Sequence, residues 1–276
     1  MKRTVRVKAK MISSWLVSQL RTPGGFKKFE LYDVGEQCSL TLKMQQYLTR
    51  LLLEARTNAQ MLQEAAKIMG WRRVEELLVK PTQPNLPKKR SGDFGEVLVN
   101  ALLTEVYQYM IPVQKLQFGI SDEQSQPGTD AIAIKKSDGS ISEMCYVESK
   151  LRTKSDTYSC LAAVHGYRQL KSDYLERVPD MISFVLARLY DRSDPLFYDF
   201  LNYINNRQDM ASIDRLKLGL VWEHDEWREK TLELLEEEMD GMLPKLSVYG
   251  VRIQGLKSTV EKLYEKMGVD VIHDEQ

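Results

Sequence analysis

Gly128-Thr129-Asp130-Ala131-Ile132-Ala133-Ile134-Lys135-Lys136-Ser137-Asp138-Gly139-Ser140-Ile141-Ser142-Glu143-Met144-Cys145-Tyr146-Val147-Glu148-Ser149-Lys150 reads as two apolar strands around a tight turn. The first runs from about 129 to 136 and the second from about 143 to 151, with Asp138-Gly139 at the reversal, a hairpin signal. The informative residues are the polar ones at the strand ends. Asp130 opens the first strand, and Glu148 and Lys150 close the second. A strand repeats every two residues, so Glu148 and Lys150 point to the same face.

Outward from the hairpin the elements fall into order. Upstream, Phe94, Val97, Leu98, Ala101, Leu102 and Val106 recur at helical spacing over about 92–110 and carry Glu96 on the same helix. A strand is expected near 113–120. Downstream come a helix near 157–177 and a strand near 181–189, written in Met181-Ile182-Ser183-Phe184-Val185-Leu186-Ala187. The sum is an α/β fold with an αβββαβ core on a mixed central sheet. Further helices and strands near 195–206, 216–222, 226–239, 246–255 and 256–267 extend and cover that sheet.

Residues 1–90 differ in character. Val5, Val7 and Ala9 alternate with basic residues as in a half-exposed strand, Pro23-Gly24-Gly25 marks a turn, and about 41–78 has helical periods with a break at Gly70. Pro81, Pro84 and Pro87 followed by Lys88-Lys89-Arg90 suggest a boundary. The expected division is a mostly helical region over 1–90, suited to partner contact, and an α/β domain over 91–276.

Composition excludes several classes. Among 276 residues, Lys plus Arg total 39 and Asp plus Glu total 39, so no general cationic surface draws nucleic acid to the chain; such contact must be local or helped by a partner. No apolar run approaches the roughly 20 residues of a membrane span and no signal-peptide profile is present, so a cytoplasmic protein without membrane contact is expected. Cys38, Cys145 and Cys160 form no CxxC pair and read as buried small apolar residues. His165, His224 and His273 are too dispersed for a histidine metal motif, and no GxSxG elbow supports serine hydrolysis. The tryptophans Trp15, Trp71, Trp222 and Trp227 read as packing residues.

What remains is oxygen-ligand metal chemistry. Mg2+ prefers hard oxygen donors in an octahedral shell and keeps several waters. Asp130 and Glu148, with a carbonyl such as that of Ser149, supply such donors, and Mn2+ is an alternative ion. Lys150 lies one pleat from Glu148, where an ammonium can position water or offset charge building up on a phosphate. Glu96 approaches from the upstream helix, although a glutamate early in a helix is also favoured by the helix dipole alone. The basic groups Lys88-Lys89-Arg90, Lys135-Lys136 and Lys150-Arg152-Lys154 are suited to a phosphate backbone, or equally to ordinary solvated surface. The acidic run Glu233 to Asp240 reads as the polar face of a helix.

Glu96 on the first helix, Asp130 at the start of one strand and Glu148-Ser149-Lys150 at the end of the next resemble the PD-(D/E)xK nuclease superfamily over about residues 92–190, with Thr129 where the motif name has proline. Gln169 and Tyr174 resemble a Gln and Tyr pair of its RecB-like branch, at a spacing one residue longer. The Gly95-Glu96-Val97-Leu98 helix, the Gly-x-Asp strand, the Glu-Ser-Lys strand and the separate N-terminal region look most like the HamA family, the nuclease-like component of Hachiman antiphage systems. The resemblance implies Mg2+-dependent cleavage of DNA, with Asp130, Glu148 and Glu96 at the metal, Lys150 catalytic, a helicase subunit as partner and no small-molecule substrate. The rival from another class is a catalytically silent subunit that keeps the fold as a DNA-binding or regulatory assembly protein.

Overall fold

A computed structural model describes residues 10–21, 26–118, 128–154, 156–206, 214–240 and 244–268. The strand expected at Val5–Ala9 and the turn at Pro23–Gly25 lie outside the described residues. The chain begins with a short helix α1 (Ile12–Trp15), then β1 (Leu16–Leu20) and β2 (Phe29–Glu36). Next come α2 (Leu42–Arg56) and α3 (Ala59–Met69), each started by a side chain accepting a backbone N–H: Thr41 caps the first and Asn58 the second. Gly70 ends α3 at φ 78°, a region that suits glycine, and a further helical stretch begins as α4 (Trp71–Val74).

Of the prolines expected to separate two regions, Pro81 and Pro87 are absorbed into helical structure, while Pro84 lies in the short connection between them. Lys80–Thr82 forms a 3-10 turn, and Pro87 sits at the first position of α5 (Pro87–Glu105), where its missing N–H costs no intrahelical bond. β3 (Ala131–Ser137) and β4 (Ser140–Arg152) form the hairpin, turning through Asp138-Gly139, both at positive φ. After it come α6 (Thr157–Cys160), α7 (Ala162–Glu176), α8 (Val178–Asp191), α9 (Leu196–Asn205), β5 (Arg215–Glu223), α10 (Lys230–Glu238), β6 (Leu246–Ile253) and α11 (Leu256–Glu265).

The strands make one mixed six-stranded sheet in the order β1-β2-β6-β5-β4-β3. Its four central strands, β2, β6, β5 and β4, are parallel, and the two edges pair antiparallel. β1 and β2, from the region before residue 90, therefore belong to the same sheet as the hairpin. One face is covered by α1, α2, α5 and α11, whose core holds Trp15, Leu52, Phe94, Leu98, Val221 and Leu263; the other is covered by α7 to α10 around Tyr146, Tyr167, Leu189, Leu218 and Trp222.

The α/β class and mixed central sheet are as the sequence indicates, while two expected strands are corrected. Residues 113–118 hold a 3-10 turn (Lys115–Phe118), and the first strand of the core is reduced to a bridge between Met110 and Ile134. The segment expected as a strand at 181–189 is α8, with Pro179 in its first turn and Val178, Met181, Val185 and Leu189 buried at three- and four-residue spacing. β5 takes the strand position after α7 instead. Among the cysteines, Cys145 is buried as expected, but Cys38 is exposed. Trp15 and Trp222 are buried core residues.

Candidate active site

β4 is gripped from both faces. On one, α5 comes so close at Gly95 that a Cβ there would lie 3.3 Å from the Leu151 Cβ; on the other, a Cβ at Gly166 of α7 would lie 2.6 Å from Leu218 Cδ1 and 3.3 Å from Lys150 Cγ. These approaches leave the last residues of β4 with little freedom. Glu96, one residue after Gly95, is thereby held beside the strand that carries Glu148 and Lys150.

Glu96, Asp130, Glu148 and Lys150 all line one open cleft. Asp130 precedes β3 and reaches across to β4, where the Ser149 N–H and the Ser149 hydroxyl both donate to its Oδ2 at 2.7 Å. Lys150 donates to Glu148 Oε1. Glu96 is buried, and its Oε1 has no hydrogen-bond partner. Among the described residues, no group of three or more His, Cys, Asp or Glu side chains is gathered so that it could hold a metal ion.

The electrostatics match this crowding. Burial, reinforced by the charge of Asp130, pushes the Glu148 carboxyl up to about 8 even though Lys150 pulls it down. Burial, again with Asp130, raises Glu96 well above the ordinary glutamate value. Carboxylates in this state are expensive to ionise until a cation is supplied.

One residue that the sequence did not disclose stands at the centre of this charge. Lys115 is largely buried, and its Nζ donates to the carbonyls of Gly128 and Thr129 at 2.6 Å each, holding the backbone that leads into Asp130. Burial lowers the pKa of its ammonium, while Asp130, Glu96 and Glu148 act to raise it. Asp93, one turn before Glu96, is buried too, but its charge is met by Arg56, with Nε at 2.6 Å, and by Lys89 at 2.7 Å.

Two basic runs far apart in sequence meet at the cleft: Lys88 and Lys89 from the start of α5, and Arg152 and Lys154 beyond Lys150. Arg90 does not line the cleft; its Nε donates to the Pro84 carbonyl and its guanidinium lies over the Tyr264 ring. Nor does the other pair: Lys136 is bound to Asp199, and Lys135 lies over Tyr109. Gln169 is on the surface of α7, donating to Asp173, and Tyr174 packs edge-on against Tyr146. The acidic run around α10 is structural, with Glu238 bound to Arg168 and Asp240 to Lys171 across to α7.

No helix among the described residues is long and apolar enough to cross a membrane. A comparison with curated proteins gives no match to the sequence. A family model does match: it is that of HamA, and it aligns with residues 31–267, from β2 through the cleft to the end of α11. With most of its length covered by that match, the chain belongs to the HamA family.

Proposed function

We propose that the chain is a metal-dependent nuclease that hydrolyses DNA phosphodiester bonds as the effector of a Hachiman-type antiphage complex, working beside a helicase subunit. The observation that carries this reading is the convergence of Lys88, Arg152 and Lys154 on the cleft that also holds Asp130, Glu148, Lys150 and Glu96, with Lys89 beside them bound to Asp93. Carboxylates alone would repel a phosphate. Carboxylates ringed by cations suit a polyanion whose backbone must be brought to a metal.

The donor set fits Mg2+, or Mn2+ in its place. Mg2+ is held by one or two carboxylates, with waters and substrate phosphate completing its shell, so a three-carboxylate cage is not required. Asp130 and Glu148 would hold it, and the unpartnered Oε1 of Glu96 is the further oxygen available. When bound, the ion would polarise the phosphoryl group and acidify a water. The protein's own contributions are separate. Ser149 orients Asp130, Lys115 fixes the turn before it, and Lys150 carries the charge that can move from Glu148 to the phosphate as substrate arrives. The neutral chain as a whole gives no long-range pull on DNA, which favours delivery by a partner.

The silent-subunit alternative has one observation in its favour. Asp130 and Glu148 already have protein partners, so the carboxylates are arranged without a metal cage. Plasmid DNA incubated with Mg2+ and the purified chain, alone and with a helicase partner, decides between the two. Cleavage that disappears in a Glu148→Ala, Lys150→Ala double variant supports the nuclease; no cleavage in either setting, or equal cleavage by the variant, overturns the site.

A further inference from the structure

We propose that a second recess, which shares Asp130 with the carboxylate cleft, receives an unpaired DNA base beside the phosphate to be cut; the inference rests on the nuclease reading. The recess has a volume of about 180 Å³, below the range of drug-sized pockets, so it would take one ring system rather than a larger ligand. Val113, Ile132, Met181, Phe184 and Val185 form its apolar walls, while Lys115, Asp130, Arg177 and Asp180 are its charged groups. Because Asp130 lines both spaces, an occupant of one is adjacent to a phosphate in the other.

The chemistry of the walls selects a flat ring with a polar edge. Phe184, the aromatic residue of the wall, is partly exposed; beyond the recess it meets Phe118 edge-on, with centroids 5.6 Å apart, and the Arg188 guanidinium, also outside the lining, lies 4.6 Å from the Phe118 centroid and 5.5 Å from that of Phe184. Aromatic faces interleaved with guanidinium groups are how sequence-tolerant single-strand surfaces take bases and phosphates together. Met181, Phe184 and Arg188 follow one another at spacings of three and four, so α8 presents them along one side, with Arg177 at its N-cap paired to Asp173. A base must leave its stack to enter such a recess, which makes single-stranded or distorted DNA the fitting ligand.

The test is binding of labelled oligonucleotides to the full chain carrying Glu148→Gln, which prevents cleavage. An intact single strand is compared with a fully abasic strand of equal length, and 2-aminopurine in the intact strand reports stacking. Expected are an affinity roughly tenfold higher for the intact strand, quenched 2-aminopurine, loss of both in Phe184→Ala and their retention in Phe184→Trp. Equal affinity for abasic and intact strands overturns the proposal without reference to how any Phe184 variant folds. If that equality is found while the unaltered chain still cuts plasmid, the recess fails and the nuclease reading stands. If plasmid is not cut, alone or with the helicase partner, and neither strand binds in either setting, both fail.

Discussion

Ser149 shows how narrowly the candidate site is determined at the level of single residues. Its N–H and its hydroxyl both donate to the same oxygen of Asp130, so the strand that carries Glu148 also sets the direction of the carboxylate from the neighbouring strand. Removing the hydroxyl in Ser149→Ala leaves the backbone donor and little change in packing. Groups that orient a ligand are worth about 10–100-fold in metal affinity. The expected result is Mg2+ affinity weakened by that factor, read by calorimetry, with a thermal midpoint close to that of the parent chain; unchanged Mg2+ binding would count against Asp130 as a ligand. Asp130, Glu148 and Lys150 were legible in the sequence because charged residues at the ends of apolar strands break an alternation. Lys115 was not. It lies in an irregular segment after Pro112, where no period marks one lysine from another, and only the fold brings it to the carbonyls of Gly128 and Thr129.

At the scale of elements, the position of β4 depends on helices that approach through glycine. Gly166→Ala would place a methyl group 2.6 Å from Leu218 Cδ1 and 3.3 Å from Lys150 Cγ, so the Leu218 side chain must turn or α7 must move outward, and Lys150 must give slightly as well. Overpacking of this kind destabilises by about 1–3 kcal/mol. Chemical denaturation should show that loss, and cleavage should fall further than stability explains because Lys150 is displaced. At the opposite end of β4, Glu143 offers a pH test. Burial would raise its carboxyl, but hydrogen bonds from Tyr109 Oη at 2.5 Å and Cys145 Sγ at 3.0 Å, with Lys217 nearby, hold it below the ordinary value of 4.5. A carboxyl held low in the folded state adds stability above its unfolded pKa and loses it as pH falls through the folded pKa. The parent chain should therefore lose more stability than Glu143→Gln between neutral pH and about pH 3, measured as urea midpoints; parallel losses would refute the assignment. α8 marks where element-level reading failed. Its run from Met181 to Ala187 is apolar enough for a buried strand, and short apolar runs do not distinguish strand from helix. Pro179 and the spacing of Val178, Met181, Val185 and Leu189 were the available helical signals.

For the whole molecule, the question is whether the sequence change near residue 90 is also a mechanical seam. β2 pairs with β6 along Phe29–Gly35, and the apolar cluster beneath that face runs without interruption from Ile12 and Leu52 to Phe94 and Val260. Composition could not reveal this, because the partner strand of β2 lies more than two hundred residues away in the sequence. A buried polar tie across residue 90 is Arg56 of α2 on Asp93 of α5, with Arg56 also donating to the Thr82 carbonyl. Arg56→Ala leaves Asp93 to Lys89 and to Tyr264, whose hydroxyl is 3.5 Å away. Stranding one partner of a buried pair costs about 3–5 kcal/mol, and the surviving lysine places this case at the lower end. If the two segments form one cooperative unit, that loss should move the entire unfolding transition, with far-ultraviolet dichroism and tryptophan fluorescence still coincident. Trp15 reports from the first segment and Trp222 from the second, so each can be followed in a variant lacking the other tryptophans. Should Arg56→Ala instead separate the two reporters into distinct transitions, the segment before residue 90 would be an independent unit resting against the sheet.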